Sequence, residues 1–344
     1  MEKKLQELKT RLAEIDDLNK ANAVLVWDQS TYMPEGGAEA RARQSATLGR
    51  LAQEKFVDPA IGRLLDELQP YAESLPYDSD DASLIRVTRR EYERAIRIPP
   101  KFIGELYEHQ AKAYQVWTEA RPANDFSRVR PLLEKTLDYS RQMADFFPGY
   151  EHIIDPLIDF ADYGMKASSI SALFADLRKE LIPIVDAISS QPPADDSCLR
   201  KHYPEAEQMA ISKEIAATLG YDFKRGRLDL THHPFEITFS VGDVRITTRV
   251  KENLLSECLY SVIHEAGHAM YEQGVDPKLE GTPLGGGTSA GVHESQSRLW
   301  ENIVGRSLEF TEFFYPRLQK VFSSQLADTP LETFYRAINK VERS

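Results

Sequence analysis

Cysteine is scarce in this sequence: Cys198 and Cys258 are the only two in 344 residues, and neither belongs to a CxxC pair. Two isolated thiols cannot build a disulfide framework, so a reducing compartment fits best. Long apolar runs are missing too, none approaching the ~18 residues of a membrane span. The N-terminal stretch MEKKLQELKTRLAEIDDLNKAN is charged throughout and has neither an apolar core region nor a small-residue cleavage site, which excludes a signal peptide. Basic residues are outnumbered, 42 against 54 acidic ones, leaving a net charge of −12. That balance works against nucleic acid or an anionic membrane as partner. The expected location is cytoplasmic. Internal repeats and low-complexity tracts are absent as well.

What is present is helical periodicity. Apolar positions recur at 3.6-residue spacing over about 1–24, 36–70, 79–97, 99–121, 127–147 and 168–190, with Leu5, Leu8, Leu12 and Ile15 as the first stripe. Turn chemistry separates the segments, as at MPEGGAEA, LPYDSDDAS and SSQPPADDS. Ser127 and Ser168 or Ser169 read as N-caps. One region differs. Glu236–Phe239 and Val244–Thr248 are rich in β-branched residues and flank Val241-Gly242-Asp243, which predicts a β-hairpin inside an otherwise helical protein. At the other end, LADTPLETFYRAINKVERS reads as a helix capped by Thr329, with Leu331, Phe334, Tyr335, Ile338 and Val341 on one stripe and no closing residue.

A helix is expected from about Glu252 to Gln273, and it carries His264-Glu265-Ala266-Gly267-His268. Histidines four apart lie one turn apart on one face, so both imidazoles can reach a single ion. Glu265 is turned ~100° round the helix. It is poorly placed as a third ligand but well placed to take a proton from metal-bound water. Gly267 keeps the helix surface low beside the site. With eight histidines in the chain, an accidental match is uncommon, about 0.03 expected. A catalytic zinc site asks for three protein ligands and one open position. Glu294, in the pattern that follows Gly285-Gly286-Gly287, is the leading third ligand, with Glu272 and Glu301 as rival carboxylates. The glycine run has no P-loop Lys-Ser/Thr, which argues against phosphate binding. Ser289, Ser295 and Ser297 are read as helix-start caps rather than nucleophiles.

These residues, together with HPF at 233–235, D-x-R-x-T at 243–247, HESQS at 293–297 and WDQSTYMP at 27–34 followed by GGAEARARQ, resemble the carboxypeptidase Taq family of zinc metallocarboxypeptidases. The resemblance spreads over almost the whole chain. It implies a mainly α, zincin-like fold with a deep groove and a small β-sheet beside the metal helix. It implies zinc, with cobalt or manganese as substitutes, held by His264, His268 and Glu294, and Glu265 as general base. His233, Asp243, Arg245, Thr247 and His293 are expected to line the substrate groove. Peptides with a free C-terminus would lose single residues with broad specificity, and the protein would be a homodimer. Two later family motifs, I-R-x-x-A-D and G-x-x-Q-D-x-H-W, are not found. Residues 1–344 are therefore expected to form a single catalytic domain that is C-terminally incomplete. The alternative is an impaired or fragmentary zinc-binding homologue that acts without catalysis or through dimerisation, and a third reading is an endopeptidase with an open cleft.

Overall fold

The computed structural model describes residues 1–341; Glu342–Ser344, the end of the last segment read as helix, lie outside the described residues. Contacts group the chain into two units. One comprises Met1–Phe160, Thr238–Asp243 and Gly274–Thr288; the other comprises Ala161–Ile237, Val244–Gln273 and the residues from Ser289 onward.

The first unit is built from α1 (Glu2–Thr31), α2 (Ala38–Phe56), α3 (Pro59–Glu73), α4 (Asp80–Ala95), α5 (Pro100–Ala120) and α6 (Phe126–Asp145), with α7 (Asp155–Ala161) at its end. The α1 stripe is buried as its spacing predicts, and Leu5, Leu8, Leu12 and Ile15 meet Leu64, Leu65 and Leu68 of α3 and Ile85 of α4. The single helix expected over 36–70 is two helices. Asp58 accepts from the Ala60 amide at 2.8 Å and Pro59 opens α3, so an Asp-Pro boundary interrupts an unbroken apolar rhythm. Similarly, Asp125 rather than Ser127 caps α6, accepting from the Ser127 amide at 3.1 Å.

The second unit holds α8 (Ala167–Ser189), α9 (Glu205–Leu219), β1 (Leu228–Leu230), the first two residues of β2 (Glu236–Ser240), all but the first of β3 (Asp243–Thr248), α10 (Leu255–Gln273), α11 (Ala290–Arg298), α12 (Leu308–Val321), α13 (Ser323–Leu326) and α14 (Leu331–Ile338). α8 starts after Lys166 without a side-chain cap, so the expected Ser168 and Ser169 caps lie inside it. It buries none of its residues, and Leu173, Phe174 and Leu177 are exposed. The expected hairpin is present, extended to a sheet of order β1-β3-β2 with β1 parallel to β3 and Leu228 opposite Ile246. Three residues of β1 are too few for a periodicity to show.

α10 is covered on two sides. Cys258, Val262, Ala266 and Ala269 pack on Val244 and Ile246 of the sheet and Ala216 of α9. Leu255, Leu259 and Ile263 pack on Phe314, Leu318 and Phe334. A helix apolar on both flanks is rigidly held, and only its remaining face is left for polar work.

α14 begins one residue later than expected. Pro330 precedes it without a side-chain cap, and the Thr329 carbonyl accepts the Tyr315 hydroxyl at 2.7 Å. The expectation that nothing closes this helix is also corrected. Asn339 follows it, its amide donating to the carbonyls of Tyr335 and Arg306 at 3.0 Å each. Among the described residues, no helix is long and apolar enough to cross a membrane.

Leu68 is fully buried where α1, α3 and α4 meet. Leu68→Ala should lower unfolding free energy by about 2–5 kcal/mol, read from urea denaturation. A loss under about 1 kcal/mol would mean that this cluster is not tightly packed.

Candidate metal centre

The site is made where α10 meets α11. Gly267 permits the contact: a Cβ there would stand 2.7 Å from Cα of Ser297 and 2.9 Å from the Gln296 carbonyl oxygen. Partners across the contact step in opposite directions, His264 with Glu301, His268 with Glu294 and His293 with Glu272, so the helices are antiparallel. Ser289 caps α11, its hydroxyl accepting from the Val292 amide at 3.3 Å. Gly287–Gly291 spells GxSxG around this serine, yet its hydroxyl is spent at a helix start rather than raised on a strand-to-helix elbow.

Nε2 of His264 and Nε2 of His268 lie 3.6 and 3.4 Å from the same oxygen, Oε2 of Glu294. Those separations are long for hydrogen bonds. They fit donors arranged about one cation, because tetrahedral ligation at about 2.0–2.1 Å spaces the donors roughly 3.3 Å apart. The three ligand atoms all lie within 4.8 Å of one another, and no other such group occurs among the described residues. The rival carboxylates are placed elsewhere. Glu301 accepts from Nδ1 of His264 at 2.9 Å, and Glu272 sits 2.9 Å from Nε2 of His293.

The hydrogen-bond network orients both rings. Glu301 requires the proton of His264 on Nδ1. Nδ1 of His268 lies 2.6 Å from Nδ1 of His293, whose Nε2 donates to buried Glu272. Nδ1 of His268 is thus turned to His293, and Nε2 of both rings faces Glu294. Burial, helped by the neighbouring His293 and His264, pushes His268 down to about 4, so it is neutral and able to ligate at pH 7. For His264, burial opposes a rise, but the hydrogen bond to Glu301 and the nearby carboxylates outweigh it. Glu294 is partly buried, which favours its neutral form, but Arg298 at 2.7 Å and His264 hold it below the usual carboxylate range.

Glu265 is turned away from the ligand pair and is 6% exposed. Burial pushes its carboxyl up to about 7, and the backbone of Glu236 at the start of β2 hydrogen-bonds it. A carboxylate poised near neutrality is suited to taking and returning a proton. It opens with His264 onto a cavity of about 600 Å³ whose wall includes His233, Pro234, Tyr260, Arg298 and Arg306. Of the other residues expected at the groove, His293 acts on His268, while Thr247 is fully buried. Its hydroxyl accepts from the Phe235 amide at 2.8 Å and donates to the Phe235 carbonyl at 3.0 Å, pinning the His233-Pro234-Phe235 turn to β3. Asp243 and Arg245 are half-buried on β3 and do not line the cavity. Sequence reasoning missed the roles of Glu301 and Arg306. For Glu301 alone the signal was available, since it follows Glu294 by seven residues, two helical turns on the same face.

Residues 7–344 match the family model described as carboxypeptidase Taq (M32) metallopeptidase. The chain belongs to this family. Among carboxypeptidase Taq relatives, it is 41% identical over 339 residues to thermostable carboxypeptidase 1 of Thermus thermophilus, covering 95% of this chain and 66% of that protein. It is 35% identical over 337 residues to carboxypeptidase 1 of Bacillus subtilis, covering 97% of this chain and 66% of that protein. The crystal structure of the M32 carboxypeptidase from Deinococcus radiodurans matches with a TM-score of 0.87 at 46% identity, covering 99% of this chain and 68% of that one. The chain thus spans 66% of the length of these curated relatives. As the family leads one to expect, the fold is mainly helical with a small sheet beside the histidine helix.

Two substitutions probe the ligand geometry. Gly267→Ala should push α11 off α10, lowering both the melting temperature and retained metal. Glu294→Ala should lower retained metal, measured by elemental analysis after dialysis, with little change in melting temperature of the metal-free protein. Unchanged metal content in Glu294→Ala would remove this carboxylate from the ligand set.

Proposed function

We propose that this chain binds a divalent cation through His264, His268 and Glu294 and serves a metal-dependent carboxypeptidase that releases single residues from peptide C-termini with broad specificity. The observation that carries this reading is the convergence of two Nε2 atoms and one carboxylate beside buried Glu265, at the edge of a cavity. Zinc suits a His₂Glu donor set best, with cobalt or manganese able to replace it. When bound, the cation supplies Lewis acidity to water and to the peptide carbonyl.

The rest is the work of the chain's own residues. The Glu265 carboxylate takes a proton from the attacking water and passes it to the departing amine, the task for which a carboxyl near 7 is fitted. His293 and Glu301 hold the two rings with Nε2 turned towards Glu294. β2 lies at one edge of the sheet and begins beside Glu265. His233 and Pro234 form part of the cavity wall, and Thr247 fixes their turn. Asp243 and Arg245, on β3, lie outside the cavity wall. We further read residues 1–344 as one catalytic domain, acting in the cytoplasm as a homodimer on peptides with a free C-terminus. The family resemblance, the acidic surface and the sparse cysteines support this setting.

Glu265→Gln should keep its metal and lose turnover by about 10²–10⁴-fold, because an amide cannot accept the proton. Digestion of an end-labelled peptide separates the alternatives. Stepwise loss of single C-terminal residues supports the proposal, internal cuts indicate an endopeptidase, and metal retention without cleavage indicates a binding-only chain.

A further inference from the structure

α11 does not end in an ordinary turn. It passes at Leu299 into a π-helical segment, Leu299–Val304, which carries Glu301 and closes with the Gly305 amide donating to the Trp300 carbonyl, five residues back, at 2.7 Å. Gly305 makes this closure possible. A Cβ there would come within 2.9 Å of the Trp300 carbonyl oxygen and 3.0 Å of that of Glu301, and within 3.3 Å of Cδ1 of Ile263 on α10. Such turns are rare and concentrate where a helix serves a site.

The Glu301 carboxylate divides its oxygens. Oε2 accepts from Nδ1 of His264 at 2.9 Å and from Arg298 at 3.2 Å, while Oε1 accepts from Arg306 at 3.1 Å. Arg306 is itself anchored. Its guanidinium lies 3.9 Å over the Tyr260 ring and also donates to the Ile338 carbonyl at the end of α14. Glu301 is thus held from one side by a fixed cation, and its other oxygen is shared between the His264 ring nitrogen and Arg298.

We propose that Glu301 is a positioning residue, set by the π turn and Arg306, that holds the His264 ring so that Nε2 faces the cation site. The inference rests on the His264–His268–Glu294 ligand set. What matters is the reach of a hydrogen-bond acceptor to Nδ1, with negative charge secondary. Loss of that kind of support commonly weakens metal binding by about 10–100-fold.

Glu301→Gln and Glu301→Asp separate reach from charge. Gln keeps the acceptor at its distance without charge; Asp keeps the charge but withdraws it by one methylene. Cobalt(II) affinity is measured by competition with a chromophoric chelator, alongside the d–d absorption of the bound ion. Glu301→Gln should bind within about threefold of the unaltered protein, with the same spectrum, and Glu301→Asp should bind at least about tenfold more weakly with an altered spectrum. The reverse order, or equal affinity for all three proteins, would overturn the proposal. Equal weakening of both variants would also overturn it, by showing that the site needs charge and reach together. Failure of the unaltered protein to bind one cobalt per chain would instead refute the metal site itself.

Discussion

The backbone of α11 occupies the space where a side chain at position 267 would otherwise stand, and this contact governs the rest of the site. With the helices touching main chain to main chain, Glu294 comes within 3.4–3.6 Å of both imidazoles. The same approach brings His293 to His268 and Glu301 to His264. A methyl group between the helices would lengthen every one of these distances together. The site is therefore a property of a helix pair rather than of any one motif.

Rigidity is supplied from behind. α10 is gripped by the sheet on one flank and by α12 and α14 on the other, so its histidines have little freedom to shift along or around the axis. A close-packed interior transmits such constraints because it has no slack volume to absorb them. The polar side then needs only short reaches. Each histidine finds a partner for its Nδ1, and each arrangement turns Nε2 towards Glu294. The two partners differ, a carboxylate for His264 and a second imidazole for His268. The hydrogen bond to Glu301 and the nearby carboxylates favour a proton on His264, while burial and neighbouring imidazoles discourage one on His268.

The legible parts of the sequence were those encoded by spacing within one element. The α1 stripe, the hairpin strands and the i, i+4 histidine pair each follow from a local period. Glu294 was reachable by counting ligands, although only the structure separates it from Glu272 and Glu301. What stayed hidden depends on partners distant in the chain. Nothing local marks Arg306 as the anchor of Glu301, because its other contacts are Tyr260 and the end of α14. β1 was too short to show, and the Asp58-Pro59 break lay under an uninterrupted apolar rhythm. Asn339 closes α14 partly through the Arg306 carbonyl, a partner 33 residues away that no local pattern marks.

The contact at Gly267 also bears on how an ion reaches its ligands. Two helices that touch through their main chains cannot part to admit one, and the flanks of α10 are sealed by side chains. The cavity on the side of Glu265, His233 and Arg298 reaches His264, and Glu294 keeps nearly half of its side chain in solvent. An ion therefore has an approach past the carboxylate as well as through the cavity, and a peptide seated in the cavity would leave exchange of the ion open.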